Sequence, residues 1–462
     1  LVTMSYPDAY DPALKRWSME TLPFLPKTFK YQVIDDVKKQ FTIVSGLLNR
    51  ADVDTIYVCT DSGREGEYIY RLVEQMAGVK GKNRRRVWID SQTEEEILRG
   101  VREAKDLAEY DNLAASAYLR AKEDYLMGIN FSRVLTLKYG PSVASYLREK
   151  RAVLSVGRVM TCVLGMVVRR EREIREFVKT PFYRVIGSFD VPDHETAVIE
   201  AEWRAVEGSR YFGTPALYKE NGFKEKKTAE ELIRFLSADP MEGTLLALDR
   251  KKETKNPPLL YNLAEIQNDC SKMFKISPDE TLKIIQELYE KKLVTYPRTD
   301  ARVLSTAVSK EIYKNIGGLR NFAPLADFAA KALDSGTWKQ IAKTKYVNDK
   351  QITDHYAIIP TGQGFGALRS LNPLAAKVYE LIGRRFLSIF YPPAVYQKFS
   401  LRIEKQGEQF FAAYKVLAEA GYLEVANVPS KKKAESSGNS KAENSGASQD
   451  SQAEELDPGH DE

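Results

Sequence analysis

Residues 55–67 read Thr-Ile-Tyr-Val-Cys-Thr-Asp-Ser-Gly-Arg-Glu-Gly-Glu, and this stretch indicates the class of fold. Its first six residues form a short apolar run that ends at an acid and a glycine, which is typical of a buried strand. We expect residues 61–67 to form a loop at the carboxyl end of that strand and residues 68–77 to form a helix. Ligands of open α/β sheets bind at this end of the strands.

The same alternation continues along the chain. Residues 86–89 indicate a second strand, and Thr93 with Glu96 forms a capping box that opens another helix. Strand, helix, strand and helix in this order predict a parallel sheet flanked by helices. Residues 107–138 are helical in pattern, whereas residues 181–217 alternate apolar and polar side chains, as strands do.

Length and composition limit the class of protein. A chain of 462 residues is too long for one domain and suggests three or four. It contains no run of 18 apolar residues, so we expect no membrane span. Three scattered cysteines, Cys59, Cys162 and Cys270, make no disulfide framework or zinc ribbon and favour a reducing, cytoplasmic location.

Charge is spread unevenly along the chain. The net charge is +5, but the segment from Ser430 onward carries four lysines against eight acids, which leaves +9 on residues 1–429. A basic body favours a polyanionic partner, and arginines cluster at residues 84–86, 148–151 and 169–170. From residue 428 the chain has almost no apolar residues, so we predict a disordered tail.

Four acidic or small residues, Asp61, Gly63, Glu65 and Glu67, follow the first predicted strand. Carboxylates placed there can hold Mg²⁺, which takes a few carboxylates together with water and phosphate oxygens. Acids are also favoured at the N-terminus of a helix, so a simple helix cap remains open as the alternative.

The pentapeptide Tyr296-Pro297-Arg298-Thr299-Asp300 follows a helix that Ser277, Pro278 and Glu280 open. Proline makes the preceding residue extended, so Tyr296 and Arg298 should point to one face. A phenol beside a fixed guanidinium suits nucleophilic attack on a phosphate. An edge strand that carries an uninvolved Tyr and Arg is the alternative.

Further candidates each have a structural alternative. Arg120 and Asp124 lie four apart on a predicted helix and form either a surface ion pair or part of a phosphate site. His355 is either structural or a donor to phosphate. A glycine-bearing turn before a helix can bind phosphate on its amides, and one such turn comprises Ser155, Val156, Gly157, Arg158, Val159 and Met160.

Taken together, these segments resemble the type IA DNA topoisomerases, and most closely the topoisomerase III branch. Residues 61–67 are similar to the family's acidic toprim motif and residues 154–161 to its DNA-contacting segment. The segments at 257–261, 293–300 and 355–361 then follow in the family's order. The resemblance covers roughly residues 1–425.

The resemblance implies a mechanism that needs no ATP. Tyr296 would attack one DNA strand and form a 5′-phosphotyrosyl link, while Arg298 would hold the scissile phosphate and His355 would position DNA. Asp61 and Glu65 would hold Mg²⁺ for rejoining. The residues implied to line the groove for single-stranded DNA are Arg120, Asp124 and Ser155, Val156, Gly157, Arg158, Val159 and Met160.

The resemblance also implies an architecture of mixed α/β, α and β domains around a toroid-like gate, in a monomer that works with a helicase near the nucleoid. The expected parts are an N-terminally truncated toprim domain (1–106), a helical DNA-binding domain (107–180), a β-rich arch (181–255 and 371–427), a tyrosine-bearing domain (256–370) and the polar tail (428–462).

Three departures from the family pattern leave alternatives open. Gly63 stands where the family often has a second Asp, and Met160 replaces a common Gln. The family's Glu-Lys-Pro segment is absent because the sequence starts at Leu1, so we expect a shortened chain. The alternatives are a relative that binds single-stranded DNA without cutting it, and a toprim nuclease or primase that does not use Tyr296.

Overall fold

A computed structural model of the chain describes residues 1–89, 93–192 and 198–426. The predicted tail at 428–462 lies outside the described residues. Contacts divide the chain into two units, of which the first contains Leu1–Phe177 and Leu259–Ile382. The second contains Val178–Pro258 and continues from Gly383. The division into five parts stays a prediction.

The α-helices of both units, apart from short 3-10 turns, are given in chain order. They are α1 (Lys38–Leu48), α2 (Arg64–Ala77), α3 (Glu94–Arg102), α4 (Asp111–Leu147), α5 (Arg158–Glu176), α6 (Lys226–Leu236), α7 (Leu263–Phe274), α8 (Pro278–Glu290), α9 (Thr306–Gly318), α10 (Ala326–Asp334), α11 (Pro373–Ser388) and α12 (Leu423–Ala426). Over residues 1–89, 93–192 and 198–426, no helix is long and apolar enough to cross a bilayer.

Within the described ranges the strands form four sheets. They are β1 (Val2–Met4), β2 (Tyr31–Val33), β3 (Thr55–Val58), β4 (Asn83–Arg86), β5 (Lys105–Asp106), β6 (Ile186–Asp190), β7 (Val198–Arg204), β8 (Leu217–Lys219), β9 (Gly222–Phe223), β10 (Thr244–Lys255), β11 (Ala394–Lys405) and β12 (Glu408–Glu419). The sheets are β1–β2, β3–β4–β5, β8–β9 and β10–β11–β12–β7–β6.

In the first unit, β3 and β4 are parallel and α2 connects them, as the strand–helix–strand pattern predicts. β5 pairs with β4 in the antiparallel sense. Ile56 and Val58 of β3 pack with Tyr70 of α2 and with Leu107, and these four form the buried core beneath the acidic motif. The sheet therefore places the residues after Val58 at the carboxyl edge of its one parallel pair.

Two predicted boundaries were wrong. α2 begins at Arg64 rather than at residue 68, because Gly63 is the N-cap and Glu65 and Glu67 occupy a first turn where the helix dipole favours acids. The second strand covers Asn83–Arg86 rather than residues 86–89. Its arginines are tolerated in a strand because Arg84 pairs with Glu74 and Arg86 pairs with a buried carboxylate.

The second unit is built on the five-stranded antiparallel sheet. Its long hairpin of β11 and β12 turns at Gln406 and Gly407, which both have positive φ angles of 53° and 81°. Such a two-residue turn matches the twist of the strands that it joins. Trp203 is fully buried in this core and donates a hydrogen bond of 2.7 Å to Glu408 of the hairpin. The strands predicted from the alternating pattern at 181–217 correspond to β6 and β7, and β8 begins at the end of that range.

Candidate active site

Hydrogen bonds between two segments that are distant in sequence place Tyr296 beside His355. The Thr295 amide donates to the Ile359 carbonyl at 3.0 Å. The Thr299 hydroxyl donates to the His355 carbonyl at 2.7 Å. These bonds lie on both sides of Tyr296, so one backbone amide and one threonine hydroxyl hold the tyrosine segment against the histidine segment.

The segment at residues 257–261 joins the same structure through Tyr261. The amide of Ile358 donates to the carbonyl of Tyr261 at 2.8 Å, and the buried Tyr261 hydroxyl donates to Asp269 at 2.6 Å. Three of the segments that carry the family resemblance therefore meet in one place, although they are separated in sequence.

Tyr296 lies in an aromatic and charged environment. Its ring centroid is 4.3 Å from that of His355 and 5.4 Å from that of Tyr289. Burial raises the pKa of the Tyr296 phenol, the carboxylate of Asp61 raises it further, and the guanidinium of Arg298 lowers it. Burial and Asp61 therefore disfavour the phenolate form of Tyr296, whereas the Arg298 guanidinium favours it.

Arg298 is placed as the extended backbone predicts. Pro297 and Thr299 are buried, whereas Arg298 is exposed and Tyr296 is half-buried. The side chains of Tyr296 and Arg298 thus lie on the opposite face from their two buried neighbours. Within the described ranges the Arg298 guanidinium has neither a hydrogen bond nor an ion pair, so it is available to an anion.

Asp61 reaches the tyrosine site from the loop between β3 and α2. Its Oδ1 atom lies 3.9 Å from Nε2 of His355. A second carboxylate, Asp354, lies against Gly63, where a Cβ atom would stand only 2.5 Å from Asp354 Oδ1. Burial raises the pKa of Asp354, His355 lowers it, and Asp61 raises it. Asp354 thus occupies the space beside the position where the family often has its second Asp.

A buried ion pair fixes the backbone that carries Asp61. The side chains of Arg86 and Glu67 are both fully buried, and their Nε and Oε1 atoms are 2.5 Å apart. Arg86 also donates to the carbonyls of Thr60 at 2.7 Å and of Asp61 at 2.5 Å. Glu67 is therefore a structural residue and not a metal ligand, and Arg86 of the predicted basic cluster faces the core rather than a polyanion.

Glu65 takes a different position from Asp61. It is exposed in the first turn of α2, and its charge contributes to the raised pKa of Tyr68, whose largest cause is burial. No group of three or more His, Cys, Asp or Glu side chains suited to a metal occurs in the part of the chain that the structure describes. The carboxylates that interact with His355 are Asp61 and Asp354.

A second cluster forms where α4 meets the start of α5. Arg158 binds Asp124 with two parallel hydrogen bonds of 3.0 and 3.1 Å. This pair lowers the pKa of Asp124, to which the nearby charge of Arg120 contributes. The sequence placed Arg120 beside Asp124, but the partner that binds the carboxylate is Arg158, from 34 positions further along.

The predicted DNA-contacting segment lies along α4. The amide of Leu154 donates to the Thr136 hydroxyl at 2.9 Å, and the amide of Val156 donates to the Ser132 hydroxyl at 2.8 Å. Gly157 is the N-cap of α5. These bonds leave several side chains of the segment exposed, namely Ser155, Arg158, Val159 and Met160.

Sequence reasoning missed two residues of the site. In the sequence Asp354 is only a neighbour of His355, and its contact with Gly63 links positions almost 300 residues apart. The sequence of residues 84–86 predicts a basic cluster that includes Arg86. A signal existed for Arg86, since an arginine that ends a strand at the edge where an acidic helix begins has an acid within reach.

Known proteins resemble this chain over most of its length. The family model described as DNA topoisomerase matches residues 108–457. DNA topoisomerase 3 of Bacillus anthracis is 34% identical over 430 residues, which cover 92% of this chain and 54% of that protein. DNA topoisomerase 3 of Bacillus subtilis (strain 168) is 33% identical over 429 residues, with the same shares. The chain thus spans about half the length of these curated relatives.

A solved structure supports the fold. The full-length topoisomerase I from Thermotoga maritima has a TM-score of 0.57 and 20% sequence identity, and the match covers 93% of this chain and 63% of that one. At that identity the likeness concerns the fold alone, and it agrees with the mixed architecture of helices and several sheets described above. With three quarters of its residues matched by the family model, the chain belongs to the DNA topoisomerase family.

Proposed function

We propose that this chain is the cleaving part of a type IA DNA topoisomerase that cuts one DNA strand with Tyr296. The observation that carries the proposal is the position of Tyr296, whose ring lies 4.3 Å from His355 and whose neighbour Arg298 is exposed on the same side. A phenol, an imidazole and a free guanidinium at one surface form a set that can bind and attack a phosphodiester.

The proposed chemistry is a transesterification. The Tyr296 oxygen loses its proton and forms a bond to phosphorus, and the bond from phosphorus to the 3′ oxygen breaks. The 3′ oxygen takes up a proton and leaves as a hydroxyl, while the 5′ phosphate stays on the tyrosine. One phosphodiester replaces another, so the step needs no ATP, and its reversal rejoins the strand.

Arg298 and His355 have supporting roles in this proposal. The Arg298 guanidinium would bind the scissile phosphate by two hydrogen bonds and offset the charge that grows in the transition state. The same cation lowers the pKa of Tyr296 and so favours the nucleophilic phenolate. His355 packs on the Tyr296 ring and would hold the DNA backbone.

Asp61 and Asp354 are suited to a Mg²⁺ site whose remaining ligands are water and phosphate oxygens of the DNA. Mg²⁺ takes one or two carboxylates and fills its other positions with water and phosphate oxygens. Burial raises the pKa of Asp354, the charge of Asp61 raises it further, and the Asp354 carboxylate occupies the space over Gly63. When bound, Mg²⁺ would supply positive charge for aligning the broken ends. Glu65, which is exposed in the first turn of α2, would add a carboxylate ligand from the solvent-facing side of the site.

Arg120, Asp124 and the segment from Ser155 to Met160 would guide the strand toward Tyr296. We extend the proposal to passage of a second strand through the break, for relaxation or decatenation, by a monomer near the nucleoid. A helicase is the partner class that we expect, because this chemistry requires single-stranded DNA and a helicase exposes it.

Covalent capture tests the proposal. The chain is incubated with a single-stranded oligonucleotide labelled at its 3′ end, quenched with denaturant and separated by gel. We expect the 3′ label to migrate with the protein and a 5′ label to be released on the shorter fragment. A chain that binds the oligonucleotide but captures neither label would be a binding relative, and the cleavage proposal would be wrong.

Arg298→Ala should slow capture by about 100-fold, the magnitude expected for loss of one charge-stabilising donor. It should also move the pH dependence of capture to higher pH, because Arg298 lowers the pKa of Tyr296. Arg298→Lys is the matched control: it keeps the charge, and therefore the pH profile, but loses the paired hydrogen bonds. The measurement is the capture rate between pH 7 and 10. Identical pH profiles for the Ala and Lys variants would contradict this role.

Moving the carboxylate from position 354 to position 63 tests the Mg²⁺ site. Asp354→Ala should raise the Mg²⁺ concentration that gives half-maximal rejoining by about tenfold or more. Gly63→Asp added to Asp354→Ala should restore much of it, since the new carboxylate enters the vacated space and Gly63 has an extended φ of −165° that any residue adopts. Gly63→Asp alone should displace Asp354. Equal Mg²⁺ requirements in all four chains would show that Asp354 does not act on the metal.

A further inference from the structure

Three lysines lie side by side across the five-stranded sheet of the second unit. Lys251 of β10 is directly opposite Lys398 of β11, and Lys398 is directly opposite Lys415 of β12. Residues opposite each other in a sheet point to the same face, and neighbouring strands are about 4.8 Å apart, so these lysines span about 10 Å. All three are exposed. We call them the lysine row.

The lysine row lies on the face of the sheet that points away from the core. Phe399 and Tyr414, the neighbours of the row on β11 and β12, pack against the core of this unit. Successive side chains of a strand point to opposite faces, so the row points to solvent. Like charges that are directly opposite each other destabilise a sheet. Core packing does not account for the row, and a negatively charged partner would offset its cost.

Acids of the sheet offset only part of this positive charge. Glu253, on the same face of β10, forms an ion pair with Lys415. That ion pair lowers the pKa of Glu253, and the charges of Lys398 and Lys255 lower it further. Asp249 is the other acid beside the row on β10. Within the described ranges, the side chains of the other two lysines of the row have neither a hydrogen bond nor an ion pair of their own. One carboxylate therefore serves several lysines.

A concentrated negative charge occurs further along the same chain. The segment from residue 430 lies outside the described residues, and its sequence separates the two signs of charge. Its four lysines are all at positions 431–441, whereas residues 443–462 carry seven acids and neither lysine nor arginine. The densest part, residues 454–462, contains Glu454, Glu455, Asp457, Asp461 and Glu462. A stretch with so few apolar residues binds through its charge rather than by burying a core.

This acidic stretch is connected to the sheet by a short path. From Lys415, β12 continues for about 13 Å to Glu419, and α12 ends at Ala426. The Tyr422 amide donates to the Pro392 carbonyl at 2.9 Å, which holds this end of the described chain beside the start of β11. A flexible segment such as residues 427–454 has a root-mean-square reach of about 30 Å. The tether therefore brings the acids to the row at an effective concentration on the order of millimolar.

We propose that the acidic stretch at residues 454–462 binds the lysine row of the same chain. The contact is electrostatic, so it weakens as salt rises, because exposed charges are screened over about 10 Å at 0.1 M salt. While it is bound, the stretch competes with other polyanions, DNA included, for this face of the sheet. The lysine row has no part in the proposed cleavage, and the inference does not depend on that function.

Carbodiimide crosslinking, which joins carboxylates to lysines in direct contact, tests the inference on the full chain without DNA. The chain is treated at low salt, and crosslinked peptides are identified by mass spectrometry. We expect crosslinks from residues 454–462 to Lys251 and Lys398, and we expect them to disappear at about 0.5 M salt. In a mixture of isotope-labelled and unlabelled chains, these crosslinks should join residues of one chain only. Crosslinks between chains would assign the acidic stretch to a neighbouring molecule and overturn the inference.

Two neighbouring lysines on β10 give a matched pair of variants. Lys398→Gln should lower crosslinking of the acidic stretch to Lys251 by about threefold, the size of effect expected when one exposed ion pair is lost. Lys252→Gln is the control and should leave that crosslink unchanged, because Lys252 is exposed but points to the opposite face of the sheet. Equal effects of the two changes, or crosslinks spread evenly over Lys251 and Lys252, would overturn the inference.

Binding of a fluorescein-labelled oligonucleotide, followed by anisotropy at low salt, separates the acidic stretch from DNA as the occupant of the row. A chain whose five acids at 454–462 are changed to amides should bind the oligonucleotide about threefold more tightly or better, because a competing ion partner is lost. Adding Lys251→Gln and Lys398→Gln should cancel this gain. An unchanged chain that gives no crosslinks to the row, but loses DNA affinity on Lys398→Gln, would show that DNA is the occupant instead. Because crosslinking contains no DNA, a chain that fails to cleave DNA would count against the proposed function alone.

Discussion

Tyr296→Phe is expected to abolish covalent capture of DNA while leaving the fold and the binding of single-stranded DNA intact. Phenylalanine keeps the ring that packs 4.3 Å from His355 and 5.4 Å from Tyr289, and it loses only the oxygen that would join phosphorus. The hydrogen bonds beside Tyr296 come from the Thr295 amide and the Thr299 hydroxyl and are unaffected.

The measurement is capture of a 3′-labelled oligonucleotide after a denaturing quench, with anisotropy as the check on binding. Tyr289→Phe is the matched control, since it changes a neighbouring phenol in the same aromatic group and should retain full capture. Capture that persists in the Tyr296→Phe chain, or that disappears in the Tyr289→Phe chain, would assign the nucleophile to another residue.

Arg86→Met is expected to destabilise the first unit by about 3–5 kcal/mol, because it leaves the fully buried Glu67 without its main cation. The same change removes hydrogen bonds to the carbonyls of Thr60 and Asp61. The acidic loop would lose its support, so the Asp61 carboxylate would no longer be held 3.9 Å from His355. Cleavage and rejoining should both fall even where the variant remains folded.

Urea unfolding followed by tryptophan fluorescence measures the loss, since Trp88 lies 5.1 Å from the Arg86 guanidinium. Arg84→Met is the control: Arg84 lies on the same strand and pairs with Glu74, but it is half-exposed and should cost below about 1 kcal/mol. Adding Glu67→Leu to Arg86→Met should recover much of the stability by removing the unpaired charge. Equal effects of the two arginine changes would show that the buried pair does not hold the loop.

Local signals were predictable wherever a few neighbouring residues determine the outcome. The caps are confirmed, since the Thr93 hydroxyl accepts from the Glu96 amide at 3.3 Å and the Ser277 hydroxyl accepts from the Glu280 amide at 3.1 Å. The strand at residues 55–58 was likewise expected from its apolar run. The charges of the acidic motif predict a loop as far as residue 67, but they are the acids of the first turn of α2, which begins at Arg64.

The partners of charged side chains were not predictable in the same way. Asp124 was paired with Arg120, four residues away on one helix face, yet Arg158 binds it because the segment before α5 folds back along α4. Glu67 was grouped with Asp61 as a possible ligand, yet its position one turn into α2 directs it toward the core and Arg86. Sequence spacing predicts which side chains are neighbours within one or two helical turns. It does not predict ion pairs between segments that are distant in the chain.

Residue types and short-range geometry were enough to predict the family, the order of the motifs, the caps and Tyr296 as the candidate nucleophile. Three contacts could be seen only in the folded chain: Asp354 lies over Gly63, Arg86 supports the Asp61 backbone, and the buried Arg133 packs on Trp17. Each of those contacts joins positions far apart in the chain, and only packing brings them together.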